Sequence, residues 1–179
     1  LRADGFSNTA YTLIFDLQHV EAYAKLATLI VEKMDVLKFT GRFSKSRSLS
    51  TDATMRQLVA DMGKWLLRGP LDDREITNYC GIATTVASAG GDFKLAATLI
   101  LEAMLQSPRF IYRMEEQRGG SGPQRVGPYE LASRMSYAIW GGPPDEELLQ
   151  AAEKGDLSDR GRVAAHIERM LKDHRAIRQ

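Results

Sequence analysis

A single cysteine, Cys80, is the only thiol in this 179-residue sequence. That excludes an internal disulfide, a zinc site built on paired cysteines, and covalent haem attachment of the Cys-x-x-Cys-His type. Long apolar runs are also missing, and none approaches the ~20 residues needed to cross a bilayer. Charge of one sign is not in excess, with 24 Lys+Arg against 23 Asp+Glu, which argues against a dedicated DNA-wrapping protein. There is no Gly-x-Ser-x-Gly elbow, and Gly119-Gly120-Ser121-Gly122 lacks the Gly-Lys-Ser/Thr end of a phosphate loop. No repeat recurs at a fixed period. No charged segment followed by an apolar one comes after Leu1, so no signal peptide is visible. Helical periodicity runs on through Ile167, Met170, Leu171 and His174–Ile177, so the chain reads as a piece of a longer polypeptide.

What is present is helix-forming. The hydrophobic fraction is 44%, enough for a core that hides roughly 70% of the unfolded surface. After Asp16 as N-cap, Leu17, Val20, Ala24, Ala27, Val31 and Met34 recur at three and four residues, predicting an amphipathic helix to about Leu37, with Tyr23 and Ile30 widening the stripe. Lys38–Ser50 reads as a basic, exposed connector carrying Lys38, Arg42, Lys45 and Arg47. A second helix is expected from Asp52 to Leu67, stopped by Arg68-Gly69-Pro70, where Gly69 would take the left-handed turn. Asp72 and Glu75 have capping-box spacing at the start of a third helix, with Ile76, Tyr79, Cys80, Ala83, Val86 and Ala87 inward. Asp92 caps a fourth, with Leu95, Ala96, Leu99, Ile100, Ala103 and Met104 inward, and Ser107-Pro108 interrupts it.

Arg118–Gly127 is a flexible loop and the best internal boundary. Pro128 opens a fifth helix carrying Leu131, Met135, Tyr137, Ala138, Ile139 and Trp140. Asp145-Glu146-Glu147 supplies the acidic first turn of the next, and Ser158 caps the last. Apart from a short apolar lead-in at Thr12–Phe15 there is no strand pattern. The expected fold is all-α: six to seven amphipathic helices joined by short Gly/Pro turns in an orthogonal or irregular bundle. The expected division is a helical segment with its basic connector at 1–50, a helical domain at 51–118, and the start of a further helical domain at 119–179.

Residues that could carry chemistry are few. His166 and His174 are eight apart and His19 is remote, whereas a metal wants ligands three or four apart with a third nearby. The seven methionines mostly fall on apolar stripes, where core packing explains them better than haem ligation. Asp72-Asp73-x-Glu75 and Asp145-Glu146-Glu147 are the candidate carboxylate groups for acid–base work, but helix starts attract acids for stability alone. Cys80 lies on an apolar helix face, where a thiol is inert. The helix after Arg68-Gly69-Pro70 bears Arg74 against Asp72, Asp73 and Glu75, the wrong charge for a helix reading a major groove. The reading therefore assigns no catalytic, cofactor-binding or metal-binding residue and no nucleic-acid partner.

Several phrases taken together carry a resemblance. They are Arg2–Thr9 (RADGFSNT), Leu67–Glu75 (LRGPLDDRE), Gly91-Asp92-Phe93 leading to Met104–Arg113 (MLQSPRFIYR), Tyr129–Gly141 (YELASRMSYAIWG), Pro144–Leu149, Gly155–Asp159 and Arg169–Asp173. The set resembles the planctomycete-type family of multidomain bacterial proteins built from tandem domains of unknown function, often fused to an N-terminal cytochrome-c-like domain. The phrases span nearly the whole chain in the family's order, although the stretch at Lys38–Thr51 is shorter than usual. The resemblance implies an exported polypeptide of the periplasm or cell envelope. It also implies covalent c-type haem in the parent protein, none in this stretch, and a haem domain or redox subunit as partner. It transfers no site residue.

The expected function is a non-catalytic helical scaffold supporting an electron-transfer assembly. The alternative is an envelope polymer-acting enzyme, hydrolase or oxidoreductase, using Asp72 or Asp145. A third reading is a partner surface at Lys38–Arg47.

Overall fold

The computed structural model describes residues 17–50, 52–113, 115 and 125–178. The lead-in at Thr12–Phe15, the Asp16 cap and most of the Arg118–Gly127 loop lie outside the described residues. Among those described there is no strand. The helices are α1 (Leu17–Lys33), α2 (Val36–Thr40), α3 (Ala53–Leu66), α4 (Asp73–Ser88), α5 (Phe93–Leu105), α6 (Pro108–Ile111), α7 (Pro128–Trp140), α8 (Glu146–Glu153) and α9 (Arg160–Leu171). Seven of them have eight residues or more, so the all-α expectation holds.

Aspartates set most of the starts. Asp35, Asp52, Asp72, Asp92, Asp145 and Asp159 each accept a backbone N–H from the first turn that follows. A carboxylate there satisfies an orphan donor and faces the positive end of the helix dipole. This corrects two boundaries. The first helix ends at Lys33 rather than Leu37, because the Asp35 carboxylate takes the Lys38 N–H at 2.9 Å and starts α2. The last helix is capped by Asp159, which accepts from Arg162 N at 2.9 Å, while Ser158 closes a 3-10 turn.

Two hydrophobic cores result. The first joins Ala27, Val31 and Val36 to Met55, Val59, Met62, Ala83, Ile100 and Met104, and so draws on α1 through α5. The second is built from Ala132, Met135, Trp140, Leu148, Ala152 and Met170 on α7 to α9. Trp140 is fixed in it by donating from Nε1 to the Met170 carbonyl at 3.0 Å. The ring also lies beneath the Arg175 guanidinium.

Some buried faces differ from those read off the periodicity. On α5, Leu95 and Leu99 stay exposed, and Phe93, Ala97, Leu101 and Leu105 join Ala96, Ile100 and Met104 inside. Helix α5 is apolar nearly all round, so its sequence does not say which side meets α4. On α4, Ala87 is exposed, and on α7 Ala138 is exposed while Ser136 is buried and donates to the Ser133 carbonyl. The largest departure is α1. Only Ala27 and Val31 are buried in it, while Leu17 is 72%, Leu26 51% and Leu29 53% exposed, and Val20, Tyr23 and Ile30 are also open. The helix anchors by one edge and leaves much of its apolar surface uncovered, with Tyr23, Leu26, Leu29 and Ile30 together on one side.

Candidate functional site

The chain stops and restarts twice around one point. At the end of α3 the left-handed residue is Arg68, with φ 61°, and not Gly69 as expected. Gly69 N donates to the Lys64 carbonyl at 3.1 Å, which closes a Schellman turn with arginine where glycine is usual. The corresponding turn after α4 uses Gly90 at φ 75°, and Gly91 N reaches the Val86 carbonyl at 2.8 Å. A non-glycine residue in this region costs about 1–2 kcal/mol, so something must hold Arg68 there.

What holds it is α6. Ser107 caps this single turn, accepting from Arg109 N at 3.2 Å, and Pro108 occupies its first position. Its carbonyls are thereby turned back toward α3. The Arg68 guanidinium donates to Phe110 O at 3.2 Å, to Tyr112 O at 2.8 Å, and to Arg109 O. Burial pushes the Arg68 pKa down, as does repulsion from Arg109 and Arg113, against attraction to Tyr137.

Arg109 reaches the other way. One of its terminal nitrogens spans both Glu75 oxygens at 2.9 and 2.7 Å, and the other donates to Pro70 O at 3.0 Å. Glu75 in turn closes the capping box: Glu75 N donates to Asp72 at 2.7 Å and Asp72 N to Glu75 at 2.9 Å. Beside them, burial pushes the Tyr79 hydroxyl up, partly opposed by its bond to Ser107.

Arg68, Asp72, Glu75 and Arg109 form one wall of a cleft of about 520 Å³. The facing wall is the start of α7 with Tyr129, Glu130, Ser133 and Arg134. Glu130 closes the first turn of α7 by accepting from Gly127 N at 2.6 Å. Arg134 holds Glu115 in a two-point pair, Nε to Oε1 and a terminal nitrogen to Oε2, both at 2.6 Å. That bond keeps the Glu115 carboxyl below and the Arg134 guanidinium above their ordinary values. Arg113 stands over the Tyr137 ring at 5.4 Å, and Arg68 approaches the same ring at 6.0 Å.

The structure disperses the residues singled out from sequence. Asp72 and Glu75 do line the cleft, but both are held in the helix cap and by Arg109. Asp145 caps α8 in the second core, bonded to Arg169 at 2.7 Å. Burial pushes its pKa up, yet the bonds from Arg169 and Leu148 N and the charges of Arg169 and Arg175 outweigh that and leave it lowered. His166 lies 3.7 Å from Glu147, and His174 3.2 Å from Asp173. His19 is on the exposed part of α1. Among the described residues no three His, Cys, Asp or Glu side chains gather to hold a metal ion. Cys80 is buried, and burial pushes its thiol up.

The basic connector is no free loop. Arg42 packs over Trp65 at 4.9 Å and Arg47 over Phe93 at 5.1 Å. Arg47 also donates to Leu37 O at 3.1 Å. A smaller cleft, about 290 Å³, lies between Arg42, Trp65 and α8. Lys64 and Glu153 meet at its edge at 3.1 Å.

The arginines were the missed residues. Arg68, Arg109, Arg113 and Arg134 sit in the same phrases that carried the resemblance, but the first three lie on a helix stop, a single-turn helix and the segment after it, and Arg134 lies on the polar side of α7. Periodicity assigns no face to the first three. The available signal was the pairing of one arginine at a helix stop with another just after Ser107-Pro108.

Residues 54–115 match the family model described as PSD5, protein of unknown function (DUF1595), and residues 126–179 match PSD4, protein of unknown function (DUF1592). No curated protein and no solved structure matches the chain. The chain thus carries two tandem domains of unknown function. The cleft lies where they meet, with Arg68, Glu75, Arg109 and Arg113 from one and Tyr129, Ser133 and Arg134 from the other.

Proposed function

We propose that the chain is a non-catalytic helical module of a larger exported protein of the bacterial periplasm or envelope. It supports an electron-transfer assembly by holding a cytochrome-c-like haem domain or redox subunit against α1. The observation that carries this reading is the open apolar face of Tyr23, Leu26, Leu29 and Ile30, which share one side of a helix otherwise anchored to the first core through Ala27 and Val31. Contiguous apolar surface of this kind marks a place where another protein surface packs. The engagement of the cleft acids in caps and ion pairs also supports a structural role.

The alternative, an envelope polymer-acting hydrolase or oxidoreductase, has Asp72 and Glu75 on the cleft wall in its favour. It lacks Asp145, which caps α8 away from that wall.

The test is purification of the native full-length protein, followed by a reduced-minus-oxidised absorption spectrum. A c-type haem signal is expected. A parallel L26E/I30E variant should stay folded, its changes being on exposed positions, and should lose the haem partner. A native complex without haem protein, or a double variant that retains its partner, overturns the reading.

A further inference from the structure

We propose that the cleft between the two domains is a binding site for a small oxyanion-bearing ligand, seated on Arg113 with Arg68 behind it. This is independent of the scaffold role. The charges lining the cleft balance in number but not in use. Glu75 is taken by Arg109 and Glu115 by Arg134. Asp72 and Glu130 serve the first turns of α4 and α7. Arg68 spends its donors on carbonyls, which carry no net charge. Arg113 stacks on Tyr137. Glu115 is within electrostatic reach of Arg113, but both its oxygens are bound by Arg134. Among the described residues, then, neither Arg68 nor Arg113 has a carboxylate at ion-pair distance, and both approach one aromatic ring.

Two guanidinium groups with no carboxylate at ion-pair distance, on the wall of a cleft whose acids are already engaged, attract an anion. The planar fork of arginine matches the paired oxygens of a carboxylate, sulfate or phosphate. A volume of about 520 Å³ is within the range of small-molecule sites. Ser133 and Tyr129 on the facing wall add a hydroxyl and an aromatic ring for the uncharged part of the ligand. Arg113 is the exposed member and so makes the first contact. Arg68, fixed by α6, contributes its field and is a positioning residue.

The test is titration of the 179-residue chain with citrate, inorganic phosphate and inorganic sulfate in separate arms, following the arginine Nε–Hε signals by NMR. Saturable shifts at Arg113, with Arg68 following, are expected in at least one arm. The arm that saturates at the lowest concentration gives the oxyanion type. Loss of one charge-assisted contact should weaken binding by about tenfold in R113Q, with partial retention in R113K and no change in R42Q. An unchanged thermal midpoint in R113Q shows that the fold is intact. Shifts that do not saturate in any arm, or equal binding by R113Q and the parent chain, overturn the proposal.

Discussion

Replacing Arg68 separates two effects that the structure superimposes on one residue. Its backbone is left-handed and its guanidinium donates to three carbonyls at the end of α6. Each such bond contributes about 1 kcal/mol net, so R68A forfeits about 3 kcal/mol. Release of a guanidinium buried to 8% exposure offsets part of that, leaving a destabilisation of about 2–3 kcal/mol. R68G loses the same bonds but sheds the steric cost of positive φ, which alanine retains. It should therefore be more stable than R68A by about 0.5–1 kcal/mol, even after the greater unfolded-state freedom of glycine. R68K, with its charge but no fork, should fall between R68A and the parent. Urea unfolding followed by circular dichroism measures all three, and an unchanged m-value shows that only stability has moved. Two results would refute the reasoning: R68G clearly less stable than R68A, or both variants within about 0.5 kcal/mol of the parent, the level of an ordinary surface change.

Three further outcomes are expected. Met104 in the first core and Leu148 in the second are fully buried, so M104A and L148A should each cost about 2–5 kcal/mol. Trp65 in W140F and Trp140 in W65F report the two cores separately, and L148A should lower the Trp140 transition more. The Asp145 carboxyl is held below its ordinary value by Arg169. A depressed folded-state pKa gives stability that is present above the unfolded value and lost as pH falls through the folded one. The thermal midpoint should therefore drop below about pH 4, and less steeply in D145N, whose asparagine still caps α8. Cys80 should react with a thiol reagent only once urea has unfolded the first core, and fast labelling of the native chain would contradict its burial.

The helix inventory could be read in the sequence because its causes are local. Asp52, Asp72, Asp92 and Asp145 each precede an apolar periodic run, and a carboxylate at that position binds first-turn amides whatever the rest of the chain does. Local reading was less secure where two capping residues adjoin, as Ser158 and Asp159 show, and where a cap interrupts an apolar run, as Asp35 shows. The choice of buried face was legible on α3: of its apolar face of Met55, Leu58, Val59, Met62, Trp65 and Leu66, all but Trp65 are buried, and Trp65 is partly buried against the same core. It was not legible on α5, which is apolar around most of its circumference.

The site was almost wholly tertiary. Nothing within Leu67–Glu75 says that Arg68 will be satisfied by carbonyls 41 to 44 residues away. Nothing within Met104–Arg113 says that Arg109 will return to Glu75. The sequence by itself determined an all-helical chain, its stops and caps, and the absence of disulfide and Cys-pair chemistry, since these depend on residue type and neighbours along the chain. Only the tertiary structure decided that Arg68 takes the left-handed turn, that three separated phrases meet in one cleft, and that α1 keeps an apolar strip open. Those outcomes are fixed by which surfaces pack together, and the side chains involved are satisfied by groups far away in sequence.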